Sequence, residues 1–393
     1  MRLRFRDCVL DLERLELLRN GVRVPVEPQV FEVLAYLIRN QDRVVGVDEL
    51  FETVWRGRIV SLSTLTSRVS AARVAIGDTG GEQKLIRTVS RRGYRFVGEA
   101  VATDAPIPVP RTPPRQEVRF CETSDGVRLA WSRVGDGPPI VKTGNWLNHI
   151  EYDWESPVWS HVLHWLARGR TLVRYDARGN GLSDWEVPEI SFDAFVRDLE
   201  AVVDAAGLDR FALFGASQGC AFSIAYAVKH PERVSKLVLY GGFARGRHLR
   251  GSAIDIEQGE AMLTLMRTGW GQDNPAFRQV FTSLFVPGGT PEQMDWFNEL
   301  QRKTTSAENA VRLRLVSDRM DVVDLLPSVR VPTLILHCRD DAVQPFAEGR
   351  FLATHISAAR FVGLDGRNHL ILEDDPGWPR FQREVGAFLA GGS

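Results

Sequence analysis

Three residues far apart in the chain have the types and context to carry one reaction. Ser217 lies in Gly215-Ala216-Ser217-Gln218-Gly219, between an apolar run ending at Phe214 and a helix-like run from Cys220 to Val234. Small residues on either side of a serine permit a tight strand-to-helix turn that lifts the hydroxyl clear of a sheet. Asp341 follows an apolar run in an Asp-x-x-x-Pro turn, and His369 follows the last such run, giving the order Ser, Asp, His. In that set Ser217 attacks an acyl carbon, His369 takes the proton and later returns it, and Asp341 orients and supports the imidazolium. Asp340 competes as the acid, but the spacing to Pro345 favours Asp341.

These groups need a scaffold, and the sequence describes one. From Val118 onward, short apolar runs recur at Pro138–Asn145, Thr171–Gly179, Arg210–Ser217, Val234–Gly242, Val331–Cys338 and Ala359–Gly366, mostly with helical stretches between them. That alternation predicts a mostly parallel sheet covered on both faces. It stops between Phe243 and about Val329, where four helix-patterned stretches suit a lid over one end of the sheet. Trp146, Phe243 and Trp270, with Trp154, Trp159, Phe281 and Trp296, are candidate walls of an apolar ligand pocket or ordinary core. His149, His161 and His164 lack a metal-like arrangement with carboxylates, and no metal or cofactor is expected.

Residues 101–117 are dense in proline and read as a semi-rigid spacer, which divides the chain into 1–100, 101–117 and 118–393. A length of 393 residues with 44% hydrophobic and 25% charged side chains fits two globular domains. No apolar run is long enough to cross a bilayer and the N-terminus is charged, so a cytoplasmic protein without membrane contact is expected. Cys8, Cys121, Cys220 and Cys338 form no C-x-x-C pair, and read as reduced, buried thiols. Net charge is −1, yet the first hundred residues hold 17 basic against 13 acidic side chains.

That first region opens with short β-like runs, including a turn at Asn20-Gly21, and then takes helical spacing. One helix starts at Pro28 with Val30, Phe31, Leu34, Leu37 and Ile38 on one face, and a second spans Val47–Trp55. In the third, capped by Ser61 or Ser63, Leu62, Leu65, Val69, Ala72 and Ile76 turn inward while Thr64, Ser67, Arg68 and Ala71 face out. A small, polar, basic face of this kind can lie against base edges and phosphates. Two β-runs around Ser90-Arg91-Arg92-Gly93 follow as a hairpin with arginines at its tip.

Met1 to about Glu99 resembles the OmpR/PhoB-type winged-helix family through Val30–Leu50, Val54-Trp55, the helix holding Arg68 and Arg73, and Ile86–Phe96. The resemblance implies a winged helix-turn-helix (α+β) that binds double-stranded DNA, with Thr64, Ser67 and Arg68 on the groove-reading helix and Arg91 and Arg92 on the wing. The family commonly carries a receiver upstream; this sequence starts at the winged helix, so regulation is expected downstream. Val118 to Ala390 resembles the α/β-hydrolase superfamily with a helical cap, supported by Tyr175–Asp184, which is similar to its R-G-x-G-x-S segment. The resemblance implies an oxyanion hole from the N–H of Gln218 and one from the loop Thr143-Gly144-Asn145-Trp146, with Asn145 the candidate donor. That loop lacks the histidine of the family's His-Gly-x, which bears on the geometry of the hole.

The leading expectation is a one-component transcription regulator, homodimeric on DNA, whose α/β-hydrolase-like second domain binds a small apolar ligand, with its hydrolysis left open. The alternative is an active serine hydrolase on esters or lactones with an accessory DNA-binding domain.

Overall fold

The computed structural model describes residues 2–19, 22–55, 60–103 and 116–391. The chain divides into two compact units, Met1–Pro113 and Pro114–Ser393.

The first unit begins with four short strands, β1 (Arg2–Phe5), β2 (Cys8–Asp11), β3 (Glu16–Arg19) and β4 (Val22–Val24). The predicted turn at Asn20-Gly21 between β3 and β4 lies outside the described residues. Helices α1 (Pro28–Arg39), α2 (Val47–Trp55) and α3 (Leu62–Ala75) follow, then β5 (Ile86–Val89), β6 (Gly93–Phe96) and β7 (Val101–Thr103). The sheet runs β4-β3-β2-β1-β7, and β5 and β6 form a separate hairpin. Strand β7 occupies the first three residues of the stretch read as spacer, pairing with β1 through Arg2↔Thr103 and Arg4↔Val101.

Pro28 stands in the first turn of α1, where a missing N–H costs nothing. Val30, Phe31, Leu34, Leu37 and Ile38 are buried with Phe5, Leu50, Trp55, Leu65 and Phe96 in one core. Ser61 caps α3 by accepting the Thr64 N–H at 3.3 Å. Leu62, read as inward-facing, is instead 58% exposed. It is the first residue of α3, beyond the reach of the packing that covers Leu65 and Val69.

The second unit adds β8 (Glu117–Glu122), β9 (Arg128–Val134), β10 (Pro139–Lys142), β11 (Thr171–Tyr175), β12 (Phe211–Ala216), β13 (Val234–Tyr240), β14 (Thr333–Cys338) and β15 (Ala359–Leu364). Its sheet order is β15-β14-β13-β12-β10-β11-β9-β8. The six strands from β10 to β15 pair in parallel. β9 and β8 complete one edge in antiparallel fashion. The helices are α4 (Ile150–Trp154), α5 (Ser160–Ala167), α6 (Phe192–Ala205), α7 (Gly219–Lys229), α8 (Arg247–Arg250), α9 (Ala253–Gly269), α10 (Ala276–Phe285), α11 (Pro291–Thr304), α12 (Ala307–Arg319), α13 (Phe346–His355) and α14 (Trp378–Ala390).

Helices α8 to α12 interrupt the alternation between β13 and β14 and form the cap. Two of its helices start with reciprocal capping boxes, Ser252 with Asp255 on α9 and Thr290 with Gln293 on α11. Its far end is tied to the loop after β11: Gly181 N–H donates to Thr304 O at 2.8 Å and Thr305 Oγ1 to Gly179 O at 2.5 Å. That loop is itself held by Arg178, fully buried, which donates to Asp198 at 2.7 Å and Asp125 at 2.7 Å. Among the described residues no helix is long and apolar enough to cross a membrane.

Candidate functional site

Ser217 sits between β12 and α7 with φ of +53°, a left-handed conformation costly for any residue with a Cβ. The glycines around it explain how the turn closes. A Cβ on Gly215 would lie 2.6 Å from Ser223 Oγ, and one on Gly219 would lie 2.6 Å from Gly144 O. The backbone of β12 therefore meets the start of α7, and the first residue of α7 meets the loop after β10, at distances only glycine allows.

All three candidate catalytic residues gather at the end of β13. Ser217 N–H donates to Tyr240 O at 2.9 Å. A Cβ on the next residue, Gly241, would lie 3.3 Å from His369 Cε1 and 3.8 Å from Asp341 Oδ2. His369 Nδ1–H donates to Asp341 Oδ2 at 2.7 Å. Asp341 Oδ1 accepts the N–H groups of Val343 and Gln344 at 2.8 and 2.9 Å. Burial pushes the Asp341 carboxyl up, but the His369 charge and hydrogen bond outweigh it and hold the group below the usual carboxylate range. Asp340, the competing acid, is exposed. His369 Nε2 is buried without a hydrogen-bond partner among the described residues, so it is not hydrogen-bonded to Ser217 Oγ.

Gln218 is the N-cap of α7, so its N–H belongs to the first turn, which has no intrahelical acceptor. Asn145 is buried, and its side chain is already committed: Oδ1 accepts from Lys142 Nζ at 2.5 Å, and Nδ2 faces Trp146 O and Leu147 O at 3.4 Å. Only its backbone N–H is left for the oxyanion role. Lys142 is enclosed with its ammonium 4.8 Å from the Trp159 ring, and burial lowers its pKa to about 8.

Above the site the aromatic residues are packed on one another. Trp146 lies 5.8 Å from Trp270, 5.8 Å from Phe281 and 5.5 Å from Phe285 between ring centroids, and Phe285 stands edge-on to His369 at 5.3 Å. Phe243 is buried in the same core and lies under the Arg250 guanidinium at 5.1 Å. Trp146 and Trp270 thus meet ring to ring with Phe281 of the cap, while the ring of Phe243 faces a cation. The cap and the histidine loop are also joined by backbone: His369 N–H donates to Phe285 O at 2.9 Å, and Gly288 N–H to Asn368 Oδ1 at 2.8 Å.

His337 is a neighbour that sequence reasoning did not single out. Its Nε2–H donates to Gln344 O at 2.9 Å and lies 3.6 Å from Asp341 Oδ2, so a second imidazole flanks the acid. Burial lowers its pKa, which keeps it neutral. Its position inside the strand "LHC" gave no local signal. Among the described residues no group of three or more His, Cys, Asp or Glu could hold a metal ion.

In the first unit Ser67 is exposed and Thr64 half-buried on α3. Arg68 is half-buried and its Nη1 lies 2.7 Å from Glu27 Oε2, so this arginine is already paired. Arg73 turns inward, donating to Ile86 O at 2.8 Å and Thr88 Oγ1 at 2.9 Å, and thereby fixes the hairpin to α3. Arg91 and Arg92 are exposed at the hairpin tip. The hairpin is also anchored by Asp78 Oδ2, which accepts the Ile86 N–H at 2.9 Å, and by the mutual pairing of Val45 and Tyr94 at 2.8 and 3.0 Å. Gly93 makes it possible, since a Cβ there would fall 1.9 Å from Val45 O.

Residues 21–96 match the family model for the C-terminal part of transcriptional regulatory proteins, and residues 152–285 that for the alpha/beta hydrolase fold. The chain is built from a DNA-binding regulatory domain of the OmpR/PhoB winged-helix type and an α/β-hydrolase domain. Among relatives, the AB hydrolase superfamily protein YisY of Bacillus subtilis (strain 168) is 26% identical over 256 residues, covering 64% of this chain and 91% of YisY. The transcriptional activator CadC of Escherichia coli (strain K12) is 28% identical over 107 residues, 24% of this chain and 21% of CadC. An esterase from Exiguobacterium antarcticum shares the fold, with a TM-score of 0.60 at 22% identity over 70% of this chain and 100% of the esterase.

Proposed function

We propose that the protein is a one-component transcription regulator. Its winged helix binds double-stranded DNA as a homodimer, and its α/β-hydrolase domain binds a small, largely apolar molecule and hydrolyses it slowly at an ester or lactone bond. The observation that carries the catalytic part is the 2.7 Å hydrogen bond from His369 to Asp341 beside Gly241, next to Tyr240, whose carbonyl anchors the Ser217 N–H. A site that only held a ligand would need the cavity but no proton relay.

In this reading Ser217 Oγ attacks the acyl carbon while His369 Nε2 accepts its proton, and Asp341 stabilises the imidazolium through Nδ1–H. The backbone N–H groups of Gln218 and Asn145 receive the developing oxyanion. His369 then protonates the leaving oxygen, and water attacks the acyl-enzyme by the reverse relay. The aromatic cluster under the cap supports an apolar substrate, which enters as the rings part. For DNA, Thr64, Ser67 and Arg68 face the groove and Arg91 and Arg92 meet phosphates. Arg68 contributes once DNA displaces Glu27. A dimer on adjacent half-sites supplies the phosphate contacts a single winged helix lacks.

The test combines two measurements on wild type and Ser217→Ala. Wild type turns over small aryl esters or lactones, and the variant falls to the uncatalysed rate. Both retard promoter DNA in gel-shift assays, with the ligand altering retardation in each. Hydrolysis without any DNA binding at low salt would move the protein to the second reading, an active hydrolase with an accessory domain. Ligand-responsive DNA binding with wild type as inert as the variant would leave a sensor without turnover.

A further inference from the structure

The segment leaving β13 runs from Gly241, against His369, into Arg245-Gly246-Arg247-His248-Leu249-Arg250. Its backbone docks on the end of α12: Gly246 N–H donates to Met320 O at 2.7 Å, and a Cβ on Gly246 would lie 2.3 Å from Asp318 O. Four guanidinium groups are thereby brought together, from Arg245, Arg247, Arg250 and Arg314. Among the described residues two carboxylates pair with them directly. Asp318 pairs with Arg314 at 2.9 Å, and Glu348 lies 3.5 Å from Arg245 and 3.9 Å from Arg250. Arg250 also donates to Gln344 Oε1 and to Arg245 O. Nearby Asp255 is occupied by the capping box with Ser252, and the exposed Glu260 faces His248 at 3.7 Å.

With Asp255 counted, since it acts electrostatically on both Arg247 and Arg250, one positive charge is left over, and the donors record it. Arg247 is half-buried, its stem 3.3 Å from where a Cβ on Gly259 of α9 would stand, and among the described residues its guanidinium has no hydrogen bond or ion pair. Arg245 Nε is buried without an acceptor. Glu348 Oε2 and His248 Nε2 are also buried without a hydrogen bond, and Glu348 Oε2 already faces Arg250. Burial first, then the neighbouring guanidinium of Arg314, disfavours the charged form of Arg247, and the pull of Asp318 and Asp255 does not outweigh them. Enclosed donors and cations without partners are costly, and a guanidinium fork matches the oxygens of a carboxylate or phosphate.

We propose that Arg247, flanked by Arg250 and Arg314, forms an oxyanion-binding subsite for the carboxylate or phosphate group of a small molecule, at the junction of cap and sheet. The ligand of the second domain is then amphiphilic, with an apolar body and one anionic end. This rests on the reading of that domain as a small-molecule site, but not on hydrolysis.

The experiment titrates the full-length protein with inorganic phosphate and, separately, with benzoate, at constant ionic strength maintained with chloride. The unfolding temperature is followed by tryptophan fluorescence and the stoichiometry by calorimetry. One equivalent binds saturably, raising the unfolding temperature on the order of 5 °C at a hundredfold excess over Kd. Arg247→Gln abolishes the response and Arg247→Lys weakens it; a response to one anion alone assigns the group. No response to either anion beyond chloride, or an undiminished response in Arg247→Gln, overturns the proposal. Should Arg247→Gln not fold, the wild-type stoichiometry decides, because general screening does not saturate at one equivalent. Ester hydrolysis takes no part in the readout, so its failure and the failure of this subsite are separable.

Discussion

Asp341 uses its two oxygens differently, Oδ1 for the Val343 and Gln344 N–H groups and Oδ2 for His369. An asparagine keeps the fold of the turn but offers the imidazole either an N–H or a weaker acceptor, favouring the wrong tautomer. Asp341→Asn is expected to lower kcat about 10³- to 10⁴-fold, whereas exposed Asp340→Asn changes it by less than about twofold. Steady-state kinetics on an ester that wild type hydrolyses checks both. The choice between these adjacent acids was legible in the spacing to Pro345, and the elbow in its small residues, because both signals are local. His337 and the commitment of the Asn145 side chain to Lys142 were not, since each depends on contacts that only the folded loops create.

The wing shows the same contrast among elements. Its rigidity comes from Arg73 and from the Val45–Tyr94 pairing, while Arg91 and Arg92 at the tip are exposed. Replacing both tip arginines by alanine is expected to leave the unfolding temperature within about 1 °C and to weaken DNA binding for all sequences alike. Two lost phosphate contacts lower the slope of log K against log salt by about 1.8, measured by fluorescence anisotropy across a salt series. An unchanged slope would remove the wing from the interface. Six parallel strands and four cap helices could be read as patterns because each is buried on a continuous face. β8 could not, as its residues are mostly exposed and it pairs on one side only. β7 was hidden at the start of a proline-dense stretch, and Arg73 carried no sign that it would turn inward.

At the scale of the whole molecule, regulation requires that one domain's ligand bind with different affinity when the other is occupied. Linkage makes this reciprocal: the factor by which ligand changes the Kd for DNA equals the factor by which DNA changes the Kd for ligand. Measured on Ser217→Ala, so that the ligand is not consumed, the two factors are expected to agree and to lie between about 5 and 150. Factors of one would make the two domains independent passengers on a single chain. The presence of two domains was legible in the switch of hydrophobic period and in the intervening prolines. Their coupling was not, because it is a difference between states and leaves no pattern in a sequence.

The carbonyl of Phe285 binds the N–H of His369 while its ring presses on the same imidazole. A guest that displaces this phenylalanine therefore tugs the very backbone that aims the base. Under the proposed reading, occupancy and reactivity would be geared together: an occupant that shifts Phe285 would also shift His369 and slow its own hydrolysis.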